Sequence, residues 1–510
     1  MFRKKSCIRK FSQLLLPLSI VNLNLLFSSI VSSNVSAVEA NFLDPKDVSH
    51  TRQLNNPYNL DEQEFHNAVK RGFKYATEYP IKSTGLLFPF EPIRSILDGE
   101  NSNALQGLLQ KIIHNATPYS SLDDFFSWIG LPENQQSESI KVSVSEPSLR
   151  LGVTLIDTDL GKGLTVGCPA CHSTNLFGKT ILGMTNRFPR SYELFALGKK
   201  ASALVSPQAF QLATAANDDE TLMYAHLRKA FLNIGGQVPS SLGLDASISH
   251  IAVLLSLREP DEWASLSEKY RKKPRYEILR HDAVADSKPS VWWNVKYKNR
   301  WLSDGSLVGG NPVFTNLLWN ELGHGVDLKN FDAWLDNNSQ IVADLTTAVF
   351  ANEAPLYTDF FQAETVDLEK AKRGQKVYLE YCGSCHGDYT KAWEMPNADQ
   401  MSISDLLKTV EVDYPRPTRV RDVGTDPARY LGSKSLVALN NLKLQQKWQT
   451  KIVPQQGYVP PPLIGIWARW PYMHNNSIPN LCVLLTRTAK RPKKFYMGEA
   501  LDRDRDYDQD

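Results

Sequence analysis

Two five-residue segments concentrate the chemistry of this chain: Cys168-Pro169-Ala170-Cys171-His172 and Cys382-Gly383-Ser384-Cys385-His386. In Cys-x-x-Cys-His the two thiols are spaced to form thioether bonds to the vinyl groups of one haem, and the His that follows gives its iron an axial nitrogen. A Cys-x-x-Cys pair alone serves equally as a redox dithiol or as half of a zinc site, and two pairs supply four thiolates for one structural zinc. Neither alternative needs a His directly after each pair. The motifs lie in different halves of the chain, too far apart to serve one haem. They therefore predict two covalently bound haem c groups, one held by Cys168, Cys171 and His172, the other by Cys382, Cys385 and His386.

Each iron has a sixth position to fill or to leave open. After His386 the sequence holds one further histidine, His474, in a turn bounded by Pro471 and Pro479. Met395, Met401, Met473 and Met497 are the competing ligands, and a thioether would raise the potential. For the first haem Met184 is close in sequence but serves equally as packing. His226, His250 and His281 are possible distal residues, each equally an ordinary core or surface histidine. Trp292 and Trp293 fit either an aromatic bridge carrying electrons between the irons or the packing of an interface. Arg416, Arg419, Arg421 and Arg429 offer guanidinium forks for haem propionates, against the plainer reading of a solvated basic loop.

The elements that must position these residues read mainly as helices. Apolar spacing predicts helices over 61–77, 92–115, 123–129, 191–235, 247–270, 327–350 and 366–381, the last running into the second motif. A short strand is expected over 149–156. The glycines of 161–167 match no nucleotide-binding loop and are expected to let the backbone approach the porphyrin. The fold class is thus mainly α: two c-type cytochrome haem domains with long loops, an N-terminal helical extension and little β structure. The expected organisation is a signal peptide over 1–37, an N-terminal helical region with the first haem domain over 41–287, an interdomain connection over 288–360, a C-terminal haem domain over 361–501 and a disordered tail over 502–510.

Arg3, Lys4, Lys5, Arg9 and Lys10 precede an apolar stretch and then the small residues Val35-Ser36-Ala37, the pattern of an export signal. No other stretch is long and apolar enough to span a bilayer, so the mature chain is expected to be periplasmic or secreted, without a membrane span. Of six cysteines, Cys7 leaves with the signal and four serve haem; Cys482, in an apolar run, is expected to be a buried thiol. A formal charge of +2 gives no reason to expect nucleic acid as a partner.

The run Gly374-Gln375-Lys376-Val377-Tyr378, the second motif, Val423-Gly424-Thr425-Asp426-Pro427, Gly457-Tyr458 and Pro462-Leu463-Ile464-Gly465-Ile466-Trp467-Ala468-Arg469-Trp470-Pro471-Tyr472-Met473-His474-Asn475-Asn476-Ser477 resembles the bacterial di-haem cytochrome c peroxidase superfamily. It is closest to the rubber-oxygenase-like branch. The resemblance implies an axial role for His474, an interdomain tryptophan at Trp293 and an unequal pair of haems. The haem on His172 would react with peroxide or dioxygen, and the haem on His386 would transfer electrons. Partners would be an electron donor or acceptor protein, or a small organic substrate. A non-catalytic di-haem electron carrier is the alternative.

Overall fold

The computed structural model describes residues 54–79, 81–82, 85–99, 107–108, 110–111, 117–133, 149–234, 238–239, 241–245, 247–258, 261–264 and 286–507. The expected signal peptide and His281 lie outside them.

Helix α1 (Glu62–Glu78) starts where Asp61 accepts a hydrogen bond from the Glu64 amide at 2.9 Å, satisfying one of the orphan donors of a first turn. It lies along the distant helix Ser339–Ala351. A Cβ on Gly72 would fall 2.0 Å from the Asp344 carbonyl oxygen, so only glycine permits this approach. Arg71 clamps the contact through a two-pronged ion pair with the buried Asp344 carboxylate.

The chain then forms α2 (Phe90–Asp98), α3 (Leu122–Trp128) and a three-stranded antiparallel sheet. In it β3 (Gly161–Val166) lies between β1 (Phe88–Pro89) and β2 (Val153–Thr158). Of the glycines expected to face a porphyrin, Gly161 and Gly163 are part of this hairpin instead, whereas Gly167 lines the cavity beside the first motif. Gly161 takes φ +97° at its tight turn, and Gly163 leaves room for Leu87, 3.1 Å from where a Cβ would stand.

The predicted helix over 191–235 is three helices: α5 (Ser191–Leu204), α6 (Pro207–Thr214) and α7 (Asp218–Asn233), after the single turn α4 (Pro169–His172). Ser206 and Asn217 cap the second and third, Asn217 through a reciprocal box with Glu220, and Ala215 closes the second in the left-handed conformation. Local capping here overrides a continuous apolar period. Likewise 327–350 divides at Asn338 into Leu328–Asn337 and Ser339–Ala351.

The largest apolar core joins α1, α8 (Ser247–Leu257), Pro312–Gly323, Ser339–Ala351 and side chains from Leu436 to Ile452. Trp292–Tyr297, a 3-10 helix with every residue buried, runs through it. Residues Val35–Asp510 cluster as one compact unit, and from 288–360 Trp292, Phe314, Phe331 and Phe350 pack in this core. Strands are few and short, so the fold is mainly α with little β. Near the C-terminus Tyr507 packs against Phe177, Phe361, Trp467 and Trp470, an anchoring that the charge-rich sequence around it does not predict.

Candidate haem sites

The two motifs are delivered differently. Cys168 follows the sheet, and Pro169–His172 is one turn stabilised by Pro at its start. The second motif continues a helix: Asp367 caps Leu368–Tyr378, a π turn spans Leu379–Gly383, and Ser384–His386 closes the run.

Both histidines are held in the same way. His172 Nδ1 lies 2.9 Å from the Ser290 carbonyl oxygen, and His386 Nδ1 lies 2.9 Å from that of Pro461. A carbonyl only accepts, so each Nδ1 carries the proton and each Nε2 lone pair is left for a metal. Burial holds the His172 imidazole down to about 4, against the pull of the Ser290 carbonyl, and burial lowers His386 as well. Both rings therefore stay neutral at physiological pH, the form that ligates.

Around the first motif a cavity of about 270 Å³ is lined by Cys168, Cys171 and His172 together with Trp292, His250 and His324. Its wall is largely apolar. Burial pushes the Cys168 thiol up to about 11 and Cys171 up to about 12. Thiols held protonated by burial are poor zinc ligands. Among the described residues no three His, Cys, Asp or Glu side chains converge as a metal-binding group, so the two pairs do not build a four-cysteine zinc site.

The second motif has an open apolar face. Val377, Tyr381 and Leu379, directly before Cys382, are exposed, and the helix Leu368–Tyr378 buries no residue. Cys482 is exposed too, because its helix Leu481–Leu485 buries none of its side chains; the expected buried thiol is not found. Uncovered aliphatic side chains beside two thiols and a correctly turned histidine are what a porphyrin face would cover, so the residues fit haem at this motif, as the cavity does at the first.

Residues 457–496 match the model of a family described as RoxA-like, cytochrome c-like. That segment is similar to a c-type cytochrome domain. The match supports the rubber-oxygenase-like c-type cytochromes and covalently bound haem c. The uncharacterized protein y4iJ of Sinorhizobium fredii (strain NBRC 101917 / NGR234) is 27% identical over 435 residues, covering 73% of this chain and 69% of the relative. The uncharacterized protein y4iM of the same organism is 56% identical over 43 residues, 8% of this chain and 10% of the relative. Among the described residues no helix is long and apolar enough to cross a membrane.

Beside the first motif, Trp292 tilts against His172 with ring centroids 5.7 Å apart. Trp293 is fully buried and donates from Nε1 to the Ile464 carbonyl at 3.0 Å; Asn294 donates to Pro462 at 3.0 Å. Segment 290–294, which holds His172, thus lies against segment 461–464, which holds His386.

The other expected residues separate. His474 stacks on Tyr458 at 4.0 Å, with Nε2 3.7 Å from the Asp426 carboxylate, and its carbonyl accepts from the Lys288 amide. Burial lowers its pKa, opposed by Asp426. Met184 is core packing beside Val291 and Trp293 and does not line the first cavity. His226 is exposed and His250 lines the cavity. Arg421 is exposed, Arg419 bonds the Ser384 carbonyl inside the second motif, Arg416 is buried, and Arg429 reaches the first cavity.

Sequence reading missed His324 and the two carbonyl anchors. The anchors carry no side-chain signal, although each sits next to a proline, in Pro289-Ser290 and Pro460-Pro461.

Proposed function

We propose that this c-type cytochrome is an exported di-haem oxidoreductase of the cytochrome c peroxidase superfamily. In this reading the site on His172 reacts with peroxide or dioxygen, and the site on His386 passes electrons to it. The observation that carries the proposal is the inequality of the two sites: a largely apolar cavity of about 270 Å³ at His172 and exposed apolar side chains at His386. Haem bound at the first site would supply the bond chemistry with the oxidant.

The chain's own residues prepare for that. Ser290 fixes the tautomer and direction of His172 and raises the basicity of its free nitrogen. Trp292, Leu307 and Val349 give the cavity an apolar wall. Trp293, held by Ile464 between the segments that orient the two histidines, is the relay we assign to electron transfer. His474 would be the residue that helps His386 hold the iron of the second haem; its backbone is tied to Lys288 and its ring stacks on Tyr458. A small organic substrate or a redox protein completes the reaction, in the periplasm or outside the cell.

Absorption and EPR spectra of the holo-protein, before and after peroxide or dioxygen, test this. One haem that is high-spin or dioxygen-bound, and changes with oxidant, is the expected result. Two low-spin haems that ignore both oxidants would instead establish the electron carrier. That second reading has its own support in His250 and His324, two cavity histidines able to close the first iron's sixth position.

A further inference from the structure

Cations gather between the two motifs. Arg187, 3% exposed, lies 3.7 Å over the Trp470 ring and gives one N–H to the Ala468 carbonyl at 3.0 Å; its Nε and Nη1 find no acceptor. Lys288 donates to the carbonyls of Arg469 and Pro471 at 3.2 and 2.6 Å. Arg469 reaches the Pro462 carbonyl at 3.4 Å and leaves its own Nε without an acceptor. Lys298, 6% exposed, lines the first cavity. None of these cations is paired with a carboxylate among the described residues. Arg429, also at the cavity, differs in acting on the buried Asp304 carboxylate.

Their placement connects the two sites. Lys288 stands two residues before Ser290, which holds His172. Arg469 bonds Pro462, the neighbour of Pro461, which holds His386. Arg187, Lys288 and Arg469 border one small enclosed space, and Lys288 borders the first cavity as well. Burial, then repulsion from Arg469 and Arg187, holds the Lys288 ammonium well below its ordinary value; burial and Arg469 bring Lys298 to about 8. Like charges crowded into a poorly solvated space are unfavourable unless an anion joins them. Haem carries a pair of propionate carboxylates, the partner that a guanidinium or ammonium takes most readily.

Resting on the di-haem reading above, we infer that Arg187, Lys288, Lys298 and Arg469 form a shared seat for haem propionates, with Lys288 at the junction of the two spaces. These are positioning residues. They hold the porphyrin's acidic edge and, as positive charge near iron, favour the reduced over the oxidised state.

The test uses the haem-loaded protein. Haem content is measured by pyridine haemochrome, the reduction equilibrium of each haem by spectroelectrochemistry and the propionate bending bands by resonance Raman. Lys288→Met and Arg187→Gln are each expected to shift at least one reduction equilibrium about tenfold toward the oxidised form, about 59 mV for a one-electron couple, and to move the propionate bands. Lys288→Arg, which keeps the charge, is expected to hold the reduction equilibria near wild type while moving the propionate bands. If Lys288→Met does not fold, wild type and Lys288→Arg still decide, since a seated propionate shows a band that responds to exchanging ammonium for guanidinium. Intact haem content with unchanged potentials and bands in every variant would overturn the seat and leave the di-haem reading standing. A wild-type protein without two haems would overturn both.

Discussion

Trp293 stands where two constraints meet: its ring fills a fully buried site, and its Nε1–H completes the contact between the segments that orient His172 and His386. Trp293→Phe keeps most of the apolar volume but removes the donor, leaving the Ile464 carbonyl short of a partner at a cost of about 1–3 kcal/mol. If Trp293 is the relay, electron transfer between the haems falls at least about tenfold in rate, for a barrier increase of ~1.4 kcal/mol, while haem content is unchanged. Stopped-flow reduction of the holo-protein reads this, and an unchanged rate would return Trp293 to a packing role. The count of haems is tested at the same scale. Cys168→Ala with Cys171→Ala, and separately Cys382→Ala with Cys385→Ala, are each expected to halve the haemochrome signal; loss of all haem from one pair alone would contradict two independent attachments. The candidate haem-attachment residues stood out in the sequence because the motif is contiguous. Ser290, Pro461 and Lys288 were not, because a backbone acceptor has no residue type and a buried lysine reads as surface until the fold places it.

The elements were legible where one face dominates and obscure where local chemistry interrupts the period. The helix entering the second motif was expected over 366–381 and is found, first as Leu368–Tyr378 and then as a π turn. The run from 191 to 235 was not, because Ser206-Pro207 and Asn217 begin new helices within an unbroken apolar pattern. Strand β3 was hidden by its glycines, which favour turns when read alone. One short element carries an especially sharp constraint: Gly465 opens the turn Ile466–Ala468 at φ +65°, and a Cβ there would stand 2.8 Å from Ala354 Cβ and 3.3 Å from the Trp293 ring. Gly465→Ala combines a left-handed backbone cost of ~1 kcal/mol with overpacking of ~1–3 kcal/mol. A fall in urea-unfolding stability of about 2–4 kcal/mol is expected, together with slower electron transfer if the Trp293 ring is displaced. Asp367→Ala, by contrast, removes only a helix cap and should cost about 1 kcal/mol, felt at the second motif and not the first.

At the scale of the whole molecule, His250 and His324 link the first cavity to the stability of the fold. His250 lies buried with Nε2 3.2 Å from the Gly323 carbonyl, and His324, which follows Gly323 in sequence, lies in the same wall. Burial takes His250 to about 4, with Asp245 opposing, and takes His324 to about 3, with His250 adding repulsion. In the unfolded chain both return to the ordinary histidine value near 6.5. Between these limits the unfolded state binds protons that the folded state refuses, so their contribution is fully present above pH ~6.5 and is lost as pH falls toward 4 and below. With both protons involved, the slope approaches about 2.7 kcal/mol per pH unit. Urea unfolding of the holo-protein at a series of pH values from 7.5 to 4.5 should therefore show stability falling steeply on acidification. His324→Leu removes one of the two titrating groups and is expected to flatten that fall by about half while leaving His250 to titrate. Equal slopes in the two proteins would mean that His324 keeps an ordinary pKa, contradicting its burial in the cavity wall. A haem spectrum altered by His324→Leu would identify His324 as an iron ligand, and an unaltered spectrum would mean that His324 does not fill the first iron's sixth position.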